Sequence, residues 1–535
     1  MLAMNDRRRV LFFAMLLMLI TTIPYFIGFA RQGDSWRYTG FVFGIEDGNS
    51  YIAKMSIGSS GGWLFRTPYT SYPQQGFLAF FPYILIGKLA ASPELHDQLV
   101  VLFHCFRWVA GILSILATYD FIALFVREEW ARRLGTAIAS IGGGLGWLSI
   151  IGFGPLWQER LPLEFYSPET FGFLSIYGLP HLAMARALLL WGLTNYLSPH
   201  KGSGGFWMVF RQGLLWTLLG FMQPLTIVVG WCVILAHIAG MVGVRVWHKV
   251  KEEEHEWSTP GFYAGKSGWI FVFSSPFVLY NVTAFQVVPF LKEWISQNLI
   301  LSPPVTDYLL AYGLVVPFAI IFMVRLAREG VPDEYWLVLC WATMLPLLAY
   351  APYNLQRRLP EGIWVAFTVL ALKGVEYQGA EGRKLRPILY ISFLSPLTLL
   401  IGGILAVWTP SVPLYRTVEE IESFKFLKEH AMPGNIVLAG YSTSNSLPAW
   451  APLNTLVGHG PESIHLKEMM PKIEEFFMPG SSDEARLILL NEFNVDYIIR
   501  GPEEETGENW GLEDDGQHIE MIFRNDLYEV YEVLK

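Results

Sequence analysis

Apolar runs of 17 to 25 residues recur along almost the whole first three-quarters of this chain, separated by short polar stretches. A helix needs about 20 apolar residues to cross about 30 Å of hydrocarbon. The pattern therefore predicts membrane spans near residues 10–30, 99–125, 133–153, 180–197, 206–222, 224–245, 267–285, 306–326, 334–351, 359–374 and 386–408. That is a polytopic α-helical membrane protein with about eleven transmembrane helices. The first run follows Arg7-Arg8-Arg9. A signal peptide is the rival reading there, but the run is long for one and lacks a small-residue cleavage site. It reads as an uncleaved span with a cytoplasmic N-terminus.

Charge fixes the sidedness. The loops that fall inside carry Arg127, Arg132 and Arg133; His200 and Lys201; Arg245, Lys249 and Lys251; Arg325 and Arg328; and Arg383, Lys384 and Arg386. This is the positive-inside pattern. The apolar stretch 77–91 is too short for a comfortable span, and counting it would invert every later loop. It reads as a juxtamembrane or re-entrant helix on the outer face. Long outer loops then cover about 31–99, 154–179 and 286–304.

Beyond the last span the pattern changes. Residues 413–535 hold 9 Lys and Arg against 23 Asp and Glu, while the other 412 residues hold 29 against 24. A mildly basic membrane module, 1–412, thus precedes an acidic domain, 413–535. Helices are expected at 417–430, 464–477 and 483–493, and strands at 435–440, 495–500 and 527–533, a small C-terminal α/β extracytoplasmic domain. The overall composition agrees: 53% hydrophobic and 16% charged, against about 25% charged in soluble proteins. Nucleic acid is excluded as a partner, because the soluble part is acidic. Cys105, Cys232 and Cys340 lie in apolar runs and read as buried structural thiols.

Candidate chemistry sits in the outer loops. Glu46 and Asp47 are adjacent carboxylates just past the first span. Such a group can act as a general base toward a hydroxyl, or hold a divalent cation. The turn-forming run after it, Gly-Asn-Ser, fits a solvated loop equally well. Arg357 and Arg358 oppose the positive-inside pattern, which favours anion binding over snorkelling to lipid headgroups. His181, at the outer start of a span, is a candidate for a phosphate or a sugar hydroxyl; an interfacial position explains it as well. Glu164 and Glu169 read as solvated loop carboxylates. Trp63, Trp157 and Trp294 read as interfacial anchors. Residues 458–463, Gly-His-Gly-Pro-Glu-Ser, read as a turn. No P-loop, dinucleotide fingerprint or zincin motif occurs.

In order and sidedness these features resemble the GT-C superfamily of membrane glycosyltransferases, and more narrowly its prokaryotic branch related to protein O-mannosyltransferases and aminoarabinose transferases. The carrying residues are Asp47-Gly-Asn-Ser-Tyr51 in the first outer loop, the short helix 77–91, Pro180-His181, the Ser-Pro-Pro loop leading into Tyr308, Arg357-Arg358 and the α/β tail. The resemblance implies transfer of a sugar from a polyprenyl-phosphate donor to a lipid, glycan or protein acceptor on the outer face of the cytoplasmic membrane. It implies Asp47 as catalytic carboxylate or metal ligand, with magnesium or manganese as the possible cation. It implies Tyr51 at the substrate and Arg357, Arg358 and His181 at the donor phosphate. Related enzymes often carry the acidic pair as Asp-Glu; here the order is Glu46-Asp47. The spacing to Tyr51 favours Asp47, and Glu46 stays open. A transporter or lipid flippase, or a non-catalytic scaffold, are the rival functions.

Overall fold

The computed structural model describes residues 4–198, 205–250, 260–504 and 518–534. His200, Lys201 and Lys251 of the inner-loop pattern lie outside the described residues. Among the described residues five helices are long and apolar enough to cross a membrane: Asp6–Arg31, Leu95–Ile122, Pro224–Trp247, Tyr263–Val287 and Gly379–Trp408. A sixth candidate is the pair Val305–Tyr312 and Val316–Glu329, bent by 89° at its break.

Several other expected spans are interrupted for local reasons. The run at 133–153 leaves its helix after Ile141 and continues as a 3-10 turn, Gly146–Ile151. Its glycines make the break a close contact: Gly143 N–H donates to Ser392 O at 2.8 Å, and a Cβ on Gly144 would lie 2.2 Å from Ala311 O. The run at 334–351 divides into Trp336–Thr343 and Leu345–Ala349. Pro346 opens the second piece, where its missing N–H costs nothing.

The chain forms two compact units. The first contains Met1–Thr22, Phe106–Thr283 and Ile300–Gly402. Its central helix, Ile363–Tyr377, is buried on nearly all sides, as expected of a helix apolar all round. Gly374 lets it approach the Val316–Glu329 helix so closely that a Cβ would sit 2.0 Å from Phe318 O. Small residues at crossings are the usual route to tight packing in membranes.

The second unit contains Ile23–Cys105, Ala284–Leu299 and Gly403–Lys535. The acidic tail thus shares its unit with residues 23–105 and 284–299. Strands β1 (Trp36–Tyr38) and β2 (Tyr415–Thr417) pair antiparallel. The tail's main sheet contains β3 (Ile436–Leu438), β4 (Asn454–Thr455), β5 (Tyr497–Arg500), β6 (Ile519–Arg524) and β7 (Glu529–Val533), in the order β4-β3-β5-β7-β6. β3 runs parallel to β4 and β5; β7 is antiparallel to β5 and β6. Both faces are covered. Leu438, Ile498 and Tyr531 pack with the helices Leu466–Phe477 and Asp483–Glu492. Val437, Ile499 and Val530 pack with the helices Val418–His430 and Tyr441–Trp450.

The long loop after the first span contains two helices. Residues 44–51 are not a turn: Glu46 and Asp47 occupy the first turn of the helix Ile45–Ser59. Gly44, with φ 61°, swings the chain into that helix, and carboxylates in a first turn complement its dipole. Gly48 lies beneath Phe41, where a Cβ would meet the ring at 2.4 Å. The expected helix at 77–91 forms only over Phe81–Gly87. It crosses the longer helix at two glycines: a Cβ on Gly58 would lie 1.9 Å from Ile84 O, and one on Gly87 1.9 Å from Met55 O.

Candidate functional site

In the second unit the first turn of the Ile45–Ser59 helix opens onto a cavity of about 470 Å³. Glu46, Asp47, Arg416, Tyr441, Asn445 and His459 contribute to its walls. Asp47 is half-exposed, at 50% of its side chain, and its Oδ1 lies 3.2 Å from His459 Nε2. Glu46 accepts a hydrogen bond from the Tyr441 hydroxyl at 3.2 Å, and the same hydroxyl accepts from Gly460 N–H at 2.9 Å. Burial and the neighbouring Glu46 carboxylate push the Tyr441 phenol up to about 12, so it stays a donor. Arg416 is no open cation, since it pairs with Glu420 at 3.3 Å and donates to Ser442.

Asn445 ties the wall together. It donates to Gly458 O at 2.7 Å and to Glu46 O at 3.3 Å, and accepts from Asn49 Nδ2 at 2.8 Å. Behind the wall, Glu462 is buried with Lys54 at 2.6 Å. Burial disfavours its charge, but Lys54 and His459 outweigh that and hold the carboxyl below its ordinary range. The converse holds for His459: burial opposes its charge, yet Glu462 and Asp47 raise it above the usual imidazole value.

These partners escaped sequence reasoning. Asp47, Ser50 and Lys54 stand at i, i+3 and i+7, one face of a helix, a signal hidden while 44–51 was read as a loop. Tyr51 is brought into the unit but not to the cavity wall; it is buried and stacks on Tyr83 at 4.4 Å.

The first unit holds the arginine pair, in the turn Gln356–Arg358. Arg358 pairs with Glu169 at 3.1 Å. Arg357 lies over the Tyr166 ring at 4.4 Å and has no carboxylate partner among the described residues. Glu169 is itself fixed, because Arg186 donates to its carbonyl at 2.6 Å and pairs with Glu361 at 3.1 Å. Glu164 and Glu169 are therefore buried, not solvated as loop carboxylates; Glu164 accepts from Gly146 N–H and Ser395. His181 is half-buried, second in the helix Pro180–Leu197. Trp157 is buried, and Trp294 stacks on Phe80; Trp63 is exposed, with Lys88 over its ring. All three cysteines are free, and Cys105 is exposed rather than buried.

Among the described residues no three His, Cys, Asp or Glu side chains converge to hold a metal ion. Asp47 and Glu46 could each offer one oxygen, but Glu46 already accepts from Tyr441 and Asp47 faces His459. That donor set does not make a metal centre by itself.

This architecture is similar to that of several solved structures. The oligosaccharyltransferase of Archaeoglobus fulgidus, tethered to an acceptor peptide with an NVT sequon, matches with a TM-score of 0.53, 13% identity, and coverage of 93% of this chain and 69% of that one. A second structure of that archaeon's oligosaccharyltransferase AglB, with an inhibitory peptide and a dolichol-phosphate, gives 0.52 at 12% identity, over 92% and 69%. The mycobacterial arabinofuranosyltransferase AftD gives 0.54 at 12% identity, over 97% of this chain and 40% of that one. The fold is that of the GT-C glycosyltransferases. At these identities the likeness is one of architecture. No protein-family model matches the sequence, and no curated protein matches it.

Within this GT-C architecture the two arginines are unequal. Arg357, stacked and unneutralised, has its charge to offer an anion, whereas Arg358 spends its charge on Glu169. Arg357→Ala is expected to weaken binding of a phosphate anion at this turn by about 10- to 150-fold, the loss of one charge-assisted contact of about 1.5–3 kcal/mol. Arg358→Ala should act less on that affinity and more on thermal stability, since it leaves Glu169 without its cation. Phosphate titrations, with melting curves, separate the two.

Proposed function

We propose that this protein is a membrane glycosyltransferase that moves a sugar from a polyprenyl-phosphate donor to an acceptor on the outer face of the cytoplasmic membrane. The observation that carries the proposal is the half-exposed Asp47 carboxylate at the wall of a cavity, held by His459. The GT-C fold supports it, and so does the dolichol-phosphate in the AglB structure. In the transfer an acceptor hydroxyl gives its proton to Asp47 while its oxygen bonds to the anomeric carbon. The bond from that carbon to the phosphate oxygen breaks, and polyprenyl phosphate leaves. Arg357 binds the donor phosphate, with Arg358 and His181 as further candidates for that contact, and stabilises the charge that grows there. The reading includes eleven crossings, a cytoplasmic N-terminus and an extracytoplasmic tail from residue 413 onward. The acceptor is a lipid, glycan or protein.

The direct test is purified protein in lipid nanodiscs with undecaprenyl phosphate carrying labelled mannose, galactose or arabinofuranose. Appearance of labelled product or free sugar supports the reading, and movement of intact lipid-linked sugar without bond cleavage would favour a flippase. Topology gives a second check. A C-terminal tag should be reached by an impermeant label on intact cells; a tag reached only after lysis would overturn the outer-face assignment.

A further inference from the structure

A buried Lys–Glu pair gains little stability over an apolar pair of the same size, because both charges must be stripped of water. Lys54 and Glu462 are such a pair, with side chains 1% and 2% exposed. The surroundings of each are specific. The Lys54 ammonium lies 4.0 Å from the centre of the Phe80 ring, with Phe65 and Tyr51 at 5.3 and 5.4 Å. Glu462 also accepts from the hydroxyls of Ser50 at 3.1 Å and Thr67 at 3.0 Å. Its Oε1 lies 3.5 Å from His459 Nδ1. The other ring nitrogen of that histidine meets Asp47. The Tyr69 ring stacks on the imidazole at 5.6 Å, and Tyr69 is itself held by its hydroxyl donating to Asn445 O.

His459 is thus held by its Nε2 contact to Asp47 and by the Tyr69 ring on one face, with the Glu462 carboxylate beside Nδ1, at the edge of the cavity. Asp47 is different. At a half-exposed helix start a carboxylate has room for several rotamers. A base must hold its oxygen within a fraction of an ångström of the reacting hydroxyl to be effective. We propose that His459 is the positioning residue for Asp47: it donates Nε2–H to Oδ1, and Lys54 and Glu462 are retained to keep the imidazole in that orientation. The tail's loop, read from sequence as a turn, therefore completes the site on the first outer loop. This rests on Asp47 being the base of the proposed transfer.

Two substitutions test it on the full-length protein. His459→Leu removes the donor; His459→Gln keeps an N–H with similar reach. With whichever labelled undecaprenyl-phosphate sugar the wild type turns over, His459→Leu should lower kcat between about 10- and 100-fold, with donor KM within about twofold. His459→Gln should recover most of that loss. Equal loss in both variants, or none in His459→Leu, overturns the proposal. An activity-independent measurement accompanies it. In protein labelled with ¹⁵N-histidine, the Nε2 resonance assigned to His459 should move in Asp47→Asn. An unmoved resonance overturns the inference even if turnover is seen. If the wild type turns over no donor, the functional reading fails, while the resonance still decides whether His459 clamps Asp47.

Discussion

Replacing Asp47 with asparagine is expected to lower the transfer rate by about 10²- to 10⁴-fold, the usual contribution of a positioned base. The substitution is nearly isosteric, and its amide oxygen can still accept from His459 Nε2. The helix start is solvent-facing at this residue, so the fold should be untouched and the melting temperature unchanged. What is lost is the capacity to take a proton. Glu46→Gln is the natural comparison. Glu46 already accepts from Tyr441, which ties its carboxylate to the tail's helix. Its loss should cost much less. The measurement is kcat for each variant with the active undecaprenyl-phosphate sugar. Full turnover in Asp47→Asn would remove Asp47 from the role of base, and a larger loss in Glu46→Gln would transfer the role to its neighbour.

Lys54→Met should be strongly destabilising to the second unit. It leaves Glu462 charged, buried and without its cation, a situation that typically costs about 3–5 kcal/mol. Ser50 and Thr67 still donate to that carboxylate, but neutral donors do not replace a charge. The double variant Lys54→Met with Glu462→Gln should recover a large part of the loss, since no unpaired charge remains. Lys472→Met is the control. Its pair with Glu492 is about half-exposed on both sides, and such surface pairs contribute about 0–1 kcal/mol. Melting curves of the four proteins, in one detergent, test the ordering. A Lys54→Met protein as stable as Lys472→Met would show that Glu462 finds its compensation elsewhere.

The sequence was most legible where one physical signal dominated. Strands β3, β5 and β7 are covered on both faces; β3 is an unbroken apolar run, β5 is apolar up to Arg500, and β7 keeps Val530 and Tyr531 between glutamates, and their positions match expectation closely. The helix Val418–His430 lies where a helix is expected, and Thr417 caps it by accepting from Glu420 N–H. Signals conflicted elsewhere. The helix Tyr441–Trp450 is rich in Ser, Thr, Asn and Pro and does not read as helical. It forms with its first amides donating to Glu503, a residue about sixty positions away. Residues 44–51 misled in the same way: turn-forming side chains lie in a helix whose start is set by Gly44 and whose Gly48 is required by Phe41. The carboxylate pair and the arginine pair were visible because charge is conspicuous beside apolar runs. His459 was seen and passed over, because nothing local to it reveals that Asp47 lies opposite.

The ion pair between Lys54 and Glu462 joins residues 408 positions apart. During synthesis, the helix that carries Asp47 leaves the ribosome long before the loop that carries His459 and Glu462. A ribosome adding about 5–20 residues per second leaves an interval of tens of seconds in which Lys54 has no counter-ion. The cavity wall therefore closes late in synthesis, and a chain ending before Glu462 would leave Lys54 among aromatic rings without that carboxylate.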